Sequence, residues 1–119
     1  MARILLVDDE ESVLQSVGLL LGPEGHDVTS ISNSEEAVDI IRSEEYDIMI
    51  TDIRMAPVDG IQLINIAREI RPSMPLIVIS AYTSDAVVKQ CTDLGCIAYI
   101  KKPFSINDVI NAVNQALTE

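Results

Sequence analysis

The chain has no tryptophan, one phenylalanine, one histidine and two cysteines. A lone histidine, His26, cannot support a histidine-based catalytic triad, and at the head of a strand-like segment it reads as a surface residue. Cys91 and Cys96 stand five apart with no histidine or third cysteine nearby, so they make no metal site and read as two buried thiols in a reducing cytoplasm. Basic residues are scarce as well. Eight Lys and Arg face nineteen Asp and Glu, for a net charge of −11. Such a surface repels phosphate backbones, so no direct contact of this domain with nucleic acid is expected. Long apolar runs are missing: Leu76 to Ile79 is far too short to cross a bilayer. Met1-Ala2-Arg3 leads straight into a strand-like run without the layout of a signal peptide. No membrane contact and a cytoplasmic location are therefore expected.

What remains is an ordinary globular composition, 48% hydrophobic over 119 residues. That length fits one domain, 1–119, able to fold without a disulfide or metal. No repeat, low-complexity stretch or linker interrupts it. The last helix ends the chain, which fits either a stand-alone protein or one domain of a longer one.

Apolar periodicity and turn signals alternate along the chain. Ile4-Leu5-Leu6-Val7, Ile48-Met49-Ile50-Thr51 and Leu76-Ile77-Val78-Ile79 are short, mostly apolar runs, as in strands buried on both faces. His26 to Ile31 and Ile97 to Ile100 are more mixed. Asp27 and Thr29 in the first, and Tyr99 beside a lysine pair in the second, mark them as edge strands. A first helix carries Val13, Leu14, Val17, Leu20 and Leu21 and stops at Gly22-Pro23. A second opens on Asn33-Ser34-Glu35-Glu36, the form of a capping box, and carries Ala37, Ile40 and Ile41. A third spans 60–70, with Ile61, Ile64, Ala67 and Ile70 on one face and Arg71-Pro72 at its end. A fourth spans 84–94 and is closed by Gly95. Ser105, with Asp108 three residues on, caps a fifth that carries Ile106, Val109, Ile110, Val113 and Leu117 on one stripe. Strict alternation predicts an α/β domain with a parallel sheet covered on both faces. Right-handed crossovers with the apolar strands in the centre predict the strand order 2-1-3-4-5.

In open sheets of this kind, ligands bind beyond the carboxyl ends of the strands. Asp8 and Asp9 follow the first strand, Asp52 the third, Ser80 the fourth, and Lys101, Lys102 and Pro103 the fifth. Carboxylates brought together repel by about 1 kcal/mol per pair at ~4 Å in water, and by about 4 at an effective dielectric of 20. One lysine cannot neutralise three of them. Oxygen-only ligands select a hard divalent ion, Mg²⁺ or Mn²⁺. Glu10 and Glu11 read better as first-turn acids favoured by the helix dipole. An aspartate, a metal, a hydroxyl and a lysine suit attack of a carboxylate on phosphorus. Asp52 is the candidate nucleophile and a metal ligand, Asp8 and Asp9 hold the ion, Ser80 donates to a phosphoryl oxygen, and Lys102 pairs with the phosphoryl group. Lys101 points away, since neighbours on a strand face opposite sides.

Together, Val7-Asp8-Asp9-Glu10, Asp52-Ile53-Arg54-Met55 with Asp59-Gly60, Ser80-Ala81, and Tyr99 with Lys102-Pro103-Phe104 resemble the receiver domain of bacterial two-component response regulators. The resemblance covers essentially the whole chain. It implies a flavodoxin-like three-layer sandwich of five strands and five helices. It also implies that Asp52 takes phosphate from a sensor histidine kinase or a histidine phosphotransfer protein, with Mg²⁺ at Asp8, Asp9, Asp52 and the backbone carbonyl of Arg54. Ser80 and Tyr99 would carry the conformational switch, and a cis Lys102–Pro103 bond would aim the lysine inward. The chain would not be a turnover enzyme. Output would pass through the face of helix 4, strand 5 and helix 5 to an output domain, a partner protein or a second copy.

The family usually places proline directly after the methionine, whereas here Ala56 intervenes before Pro57. The spacing from Asp52 to Asp59-Gly60 is unchanged, so the turn differs and no residue is inserted. Arg54 and Tyr82 lie two residues beyond Asp52 and Ser80, where the family has the path of the hydrolytic water; their bulk predicts slow loss of phosphate. Three other readings compete. A flavin module needs a Gly- or Ser-rich loop where Asp8 to Glu11 stand. A Mg²⁺-dependent aspartyl-phosphate phosphatase would have its two acids separated by one residue and would need room for a cap domain. A receiver-like interaction module that is never phosphorylated would not need this complete set of site residues.

Overall fold

The computed structural model describes residues 2–55, 57–81 and 84–118. Strands and helices alternate: β1 (Arg3–Val7), α1 (Glu11–Leu21), β2 (Asp27–Ile31), α2 (Ser34–Ser43), β3 (Ile48–Thr51), α3 (Gly60–Ile70), β4 (Leu76–Ser80), α4 (Asp85–Asp93), β5 (Ala98–Lys101) and α5 (Ile106–Thr118). The strands form one parallel sheet in the order β2-β1-β3-β4-β5. The apolar runs occupy the three central positions and the two mixed strands are the edges, because only strands buried on both faces need be apolar throughout.

Side-chain alternation divides the core in two. Ile4, Leu6, Ile50, Ile77, Ile79 and Ile100 pack against α1 and α5. Leu5, Val7, Met49, Leu76 and Val78 pack on the other side, with α2, α3 and Cys91 of α4. Each fully buried Leu, Ile or Val contributes roughly 1.5–3 kcal/mol, so the two layers anchor both faces of the sheet.

Local signals set the helix ends. Asn33 accepts from the N–H groups of Glu35 and Glu36. Ser105 and Asp108 cap each other: Ser105 N–H donates to the Asp108 carboxylate, and Asp108 N–H to the Ser105 hydroxyl. Gly95 has φ +84°, the left-handed geometry expected after α4. Asp59 and Gln62 add a reciprocal capping box at α3.

The predicted stripe on α5 needs correction. Val109, Ala112, Val113 and Ala116 are buried, whereas Ile106 is 57% and Leu117 44% exposed. The two alanines let the helix lie close to the sheet, which turns the larger side chains at 106 and 117 to its flank. On α3 the buried centre is Gly60, Leu63, Ile64 and Ala67, with Ile61 and Ile70 half-buried beside it. Both cysteines are free; Cys91 is buried and Cys96 half-buried. Burial, with the neighbouring thiol of Cys91, pushes the Cys96 thiol up to about 12. Burial also raises Cys91, so both are protonated near neutral pH. Among the described residues, no helix is long and apolar enough to cross a membrane.

Candidate functional site

Register builds the site. Val7 pairs with Thr51 across β1 and β3, so Asp8 and Asp52, each one residue further on, stand side by side at the strand ends. Both are buried, at 1% and 5% exposure. Asp8 N–H donates to the carbonyl of Ile31 and Asp52 N–H to that of Val7, which extends the ladder to these two residues. The Asp52 carboxylate is oriented locally: Ile53 N–H donates to Oδ1 at 2.6 Å. Behind it, the start of α3 packs on the loop backbone. Gly60 N–H donates to the Ile53 carbonyl at 2.7 Å. A Cβ at Gly60 would lie 2.0 Å from the Asp52 carbonyl oxygen and 2.6 Å from the Ile53 Cα. The following turn is tied to α2, since Val58 N–H donates to the buried hydroxyl oxygen of Ser34.

Lys102 arrives from the far edge. Its backbone N–H donates to the Ser80 carbonyl at 2.9 Å, and the Lys102–Pro103 bond is cis. Its Nζ donates to Asp52 Oδ2 and to Glu10 Oε1, both at 2.8 Å, and lies 3.0 Å from Asp8 Oδ2. Burial alone would lower this ammonium, but hydrogen bonding to Asp52 and Glu10, with the charge of the nearby Asp8 carboxylate, outweighs it and raises Lys102 above the ordinary lysine value. Burial raises Asp8, against the pull of the Glu10 N–H on its Oδ1 and of Lys102. Asp8 Oδ2 is an ion-pair neighbour of the ammonium, and among the described residues it is buried with no hydrogen-bond partner.

Oxygens of Asp8, Glu10 and Asp52 lie within 4.8 Å of one another. Three carboxylates and one ammonium leave a formal charge of −2. This surplus, the orphaned Asp8 oxygen and the all-oxygen donor set fit a hard divalent cation.

The structure therefore brings together Asp8, Asp52 and Lys102 from the sequence-derived set. Lys101 is exposed, as strand alternation requires. Asp9 is exposed and outside the carboxylate group. Glu10, read from sequence as a first-turn acid, belongs to the group instead. It is the N-cap of α1, with extended backbone (φ −91°, ψ 112°) and no side-chain cap. In an extended segment, residues 8 and 10 face one way and 9 the other; that alternation is the signal that could have found it. The close approach of Gly60 to the Asp52 backbone and the bond from Val58 to the Ser34 hydroxyl were also not anticipated. Arg54 is exposed in the loop after β3. Ser80 is buried at the end of β4; Tyr99, half-buried on β5, pairs in register with Val78 and packs on the same layer. The turn at Ala56 and the expectation for Tyr82 lie outside the described residues.

Comparison with known proteins identifies the family. Residues 4–114 match the family described as response regulator receiver domain. The chain is 31% identical, over 99% of its length, to the transcriptional regulatory protein GlrR of Escherichia coli (strain K12), and covers 27% of that protein. It is 30% identical, again over 99% of its length, to the response regulator SaeR of Staphylococcus aureus (strain USA300), and covers 51% of it. The chain thus spans about a quarter to a half of these curated relatives. A CheY-like receiver domain protein from Methanospirillum hungatei JF-1 superposes with a TM-score of 0.94 at 29% identity, over 99% of this chain and 94% of that one. With residues 4–114 matched and the strand order 2-1-3-4-5 observed, the chain belongs to the response-regulator receiver domains, the phosphorelay signalling modules of two-component systems.

Proposed function

We propose that Asp52 accepts a phosphoryl group from a histidine kinase or histidine phosphotransfer protein in the cytoplasm, and that the product state controls an output through the face of α4, β5 and α5. The observation that carries this reading is the hydrogen bond of the shielded Lys102 ammonium to Asp52 Oδ2 at 2.8 Å, beside an Asp8 oxygen that has no hydrogen-bond partner among the described residues. An Asp52 oxygen attacks phosphorus and forms the new P–O bond. The P–N bond of the donor's phosphohistidine breaks, and its imidazole leaves with the electron pair and takes up a proton. Lys102 neutralises charge on the transferred oxygens, and the Ser80 hydroxyl donates to one of them. In this reading the chain is not a turnover enzyme: it promotes its own phosphorylation and, slowly, its own dephosphorylation.

A hard divalent ion, Mg²⁺ or Mn²⁺, would be held by Asp8 and Asp52, with the Arg54 carbonyl as a further oxygen and with Asp9 only after its exposed side chain turns inward. When bound, it supplies positive charge against the phosphoryl oxygens. The family match favours neither an interaction module that is never phosphorylated nor a phosphatase. Incubation with acetyl phosphate and Mg²⁺ is expected to add one phosphoryl group per chain by intact-mass measurement. Omission of Mg²⁺, or Asp52→Asn, is expected to abolish the adduct. A full yield on Asp52→Asn would overturn the assignment.

A further inference from the structure

We infer that Glu10 is a positioning residue that holds the Lys102 ammonium in a resting arrangement and competes with the incoming phosphoryl group for it. The inference rests on the phosphoacceptor reading of Asp52. Of the three carboxylates around Nζ, those of Asp8 and Asp52 are buried, whereas the Glu10 side chain is 56% exposed. Glu10 and Lys102 also line an open groove between α1 and the turn after β5, together with Val13, Pro103, Phe104 and Ile106. Glu10 therefore stands on the solvent side of the ammonium.

Among the described residues, its side chain has no other partner to hold it there. At the N-cap of α1 a short polar side chain would bond the first N–H groups of the helix, yet Glu10 makes no such cap and instead donates its own N–H to Asp8 Oδ1. The 2.8 Å contact with Lys102 is thus what fixes the carboxylate. A phosphoryl oxygen carries the same sign of charge and needs the same donor. The two cannot both sit on the outer side of Nζ, so Lys102 exchanges Glu10 for the phosphoryl group. Glu10 opposes anion binding in two ways: it occupies the donor, and it adds negative charge at the mouth.

A purely structural role would weaken every ligand on mutation; competition moves cation and anion in opposite directions. The test is titration of ¹⁵N-labelled protein, first with Mg²⁺ alone and then with beryllofluoride at saturating Mg²⁺, followed by the amide signals of Ile53 and Gly60. Glu10→Gln is expected to bind beryllofluoride about three- to tenfold more tightly, and Mg²⁺ alone more weakly. Glu10→Asp keeps the charge, but at an N-cap it turns to the helix N–H groups; it is expected to tighten beryllofluoride as well, by less. Unchanged or weaker beryllofluoride binding in Glu10→Gln overturns the inference. So does Glu10→Asp behaving as the parent while Glu10→Gln tightens, since the effect is then net charge alone. Asp52→Asn separates the two readings. If it binds as well as the parent, or if the parent binds none, the phosphoacceptor reading falls and this inference with it; if only Asp52→Asn loses binding, the reading stands and Glu10 alone is at issue.

Discussion

The chemistry proposed for this chain centres on one carboxylate. Asp52 is fixed by Ile53 N–H on one oxygen and Lys102 on the other, and its backbone is backed by Gly60. A methyl group at position 60 cannot fit 2.0 Å from the Asp52 carbonyl oxygen, so either α3 or the loop must move. Overpacking of this kind costs about 1–3 kcal/mol. Gly60→Ala is therefore expected to lower the urea midpoint and to slow phosphorylation by acetyl phosphate at saturating Mg²⁺; parent values for both contradict the close-approach role. Asp8, Asp52 and Lys102 were legible in the sequence because each follows an unmistakable strand, and strand ends converge in this topology. Glu10 was not, because an acid at the start of a helix has a sufficient explanation in the dipole. Only its extended backbone reveals that it faces the same way as Asp8.

Elements were legible where one local signal decides. Apolar runs gave the central strands, and Asn33, Ser105 and Gly95 marked helix ends. The flank of α5 was misread because leucine and isoleucine outrank alanine in any apolar pattern, although the alanines set how closely the helix approaches. No local signal reveals the tie between α3 and the end of α4. Arg68 of α3 donates to the carbonyls of Leu94 and Gly95, and also to those of Pro72 and Met74. One side chain thus satisfies carbonyls on two loops, and Cys91 is the buried contact of α4 itself. Removing it leaves acceptors without partners, at about 1–3 kcal/mol for each buried one. Arg68→Ala is expected to destabilise the fold by about that much in urea and to raise amide exchange at the end of α4 and in β5. Arg68→Lys, with a single donor head, is expected to restore only part of it. Parent-like exchange in Arg68→Ala would contradict this tie.

Across the whole molecule, the sheet turns the acids and the two proposed switch residues to opposite sides. The acids and Lys102 continue the side chains that face α1 and α5, because each lies an even number of residues beyond Leu6, Ile50 or Ile100. Ser80 and Tyr99 instead share the alternation of Val78, the layer that includes Cys91 of α4. A phosphoryl group at the end of β3 adds charge and acceptor oxygens. Movement of the Ser80 hydroxyl toward it would free space in that layer, which the half-buried Tyr99 ring can fill. If phosphate biases two states in this way, beryllofluoride shifts amide signals in β5 and α5 as well as near Asp52. Ser80→Ala is expected to bind it but to lose most of those distant shifts; the same distant shifts as the parent would contradict the relay while leaving the site intact.

The central claim is that Asp52 carries the phosphoryl group as an acyl phosphate, and this can be read at a single residue. Borohydride reduces an acyl phosphate to an alcohol, with release of phosphate, and leaves free carboxylates untouched. Protein treated with acetyl phosphate and Mg²⁺, reduced, digested and sequenced by mass spectrometry is predicted to contain homoserine in place of Asp52 and at no other aspartate. Homoserine at Asp8, Asp9 or another aspartate, or none despite a phosphoryl adduct on the intact chain, would contradict the account.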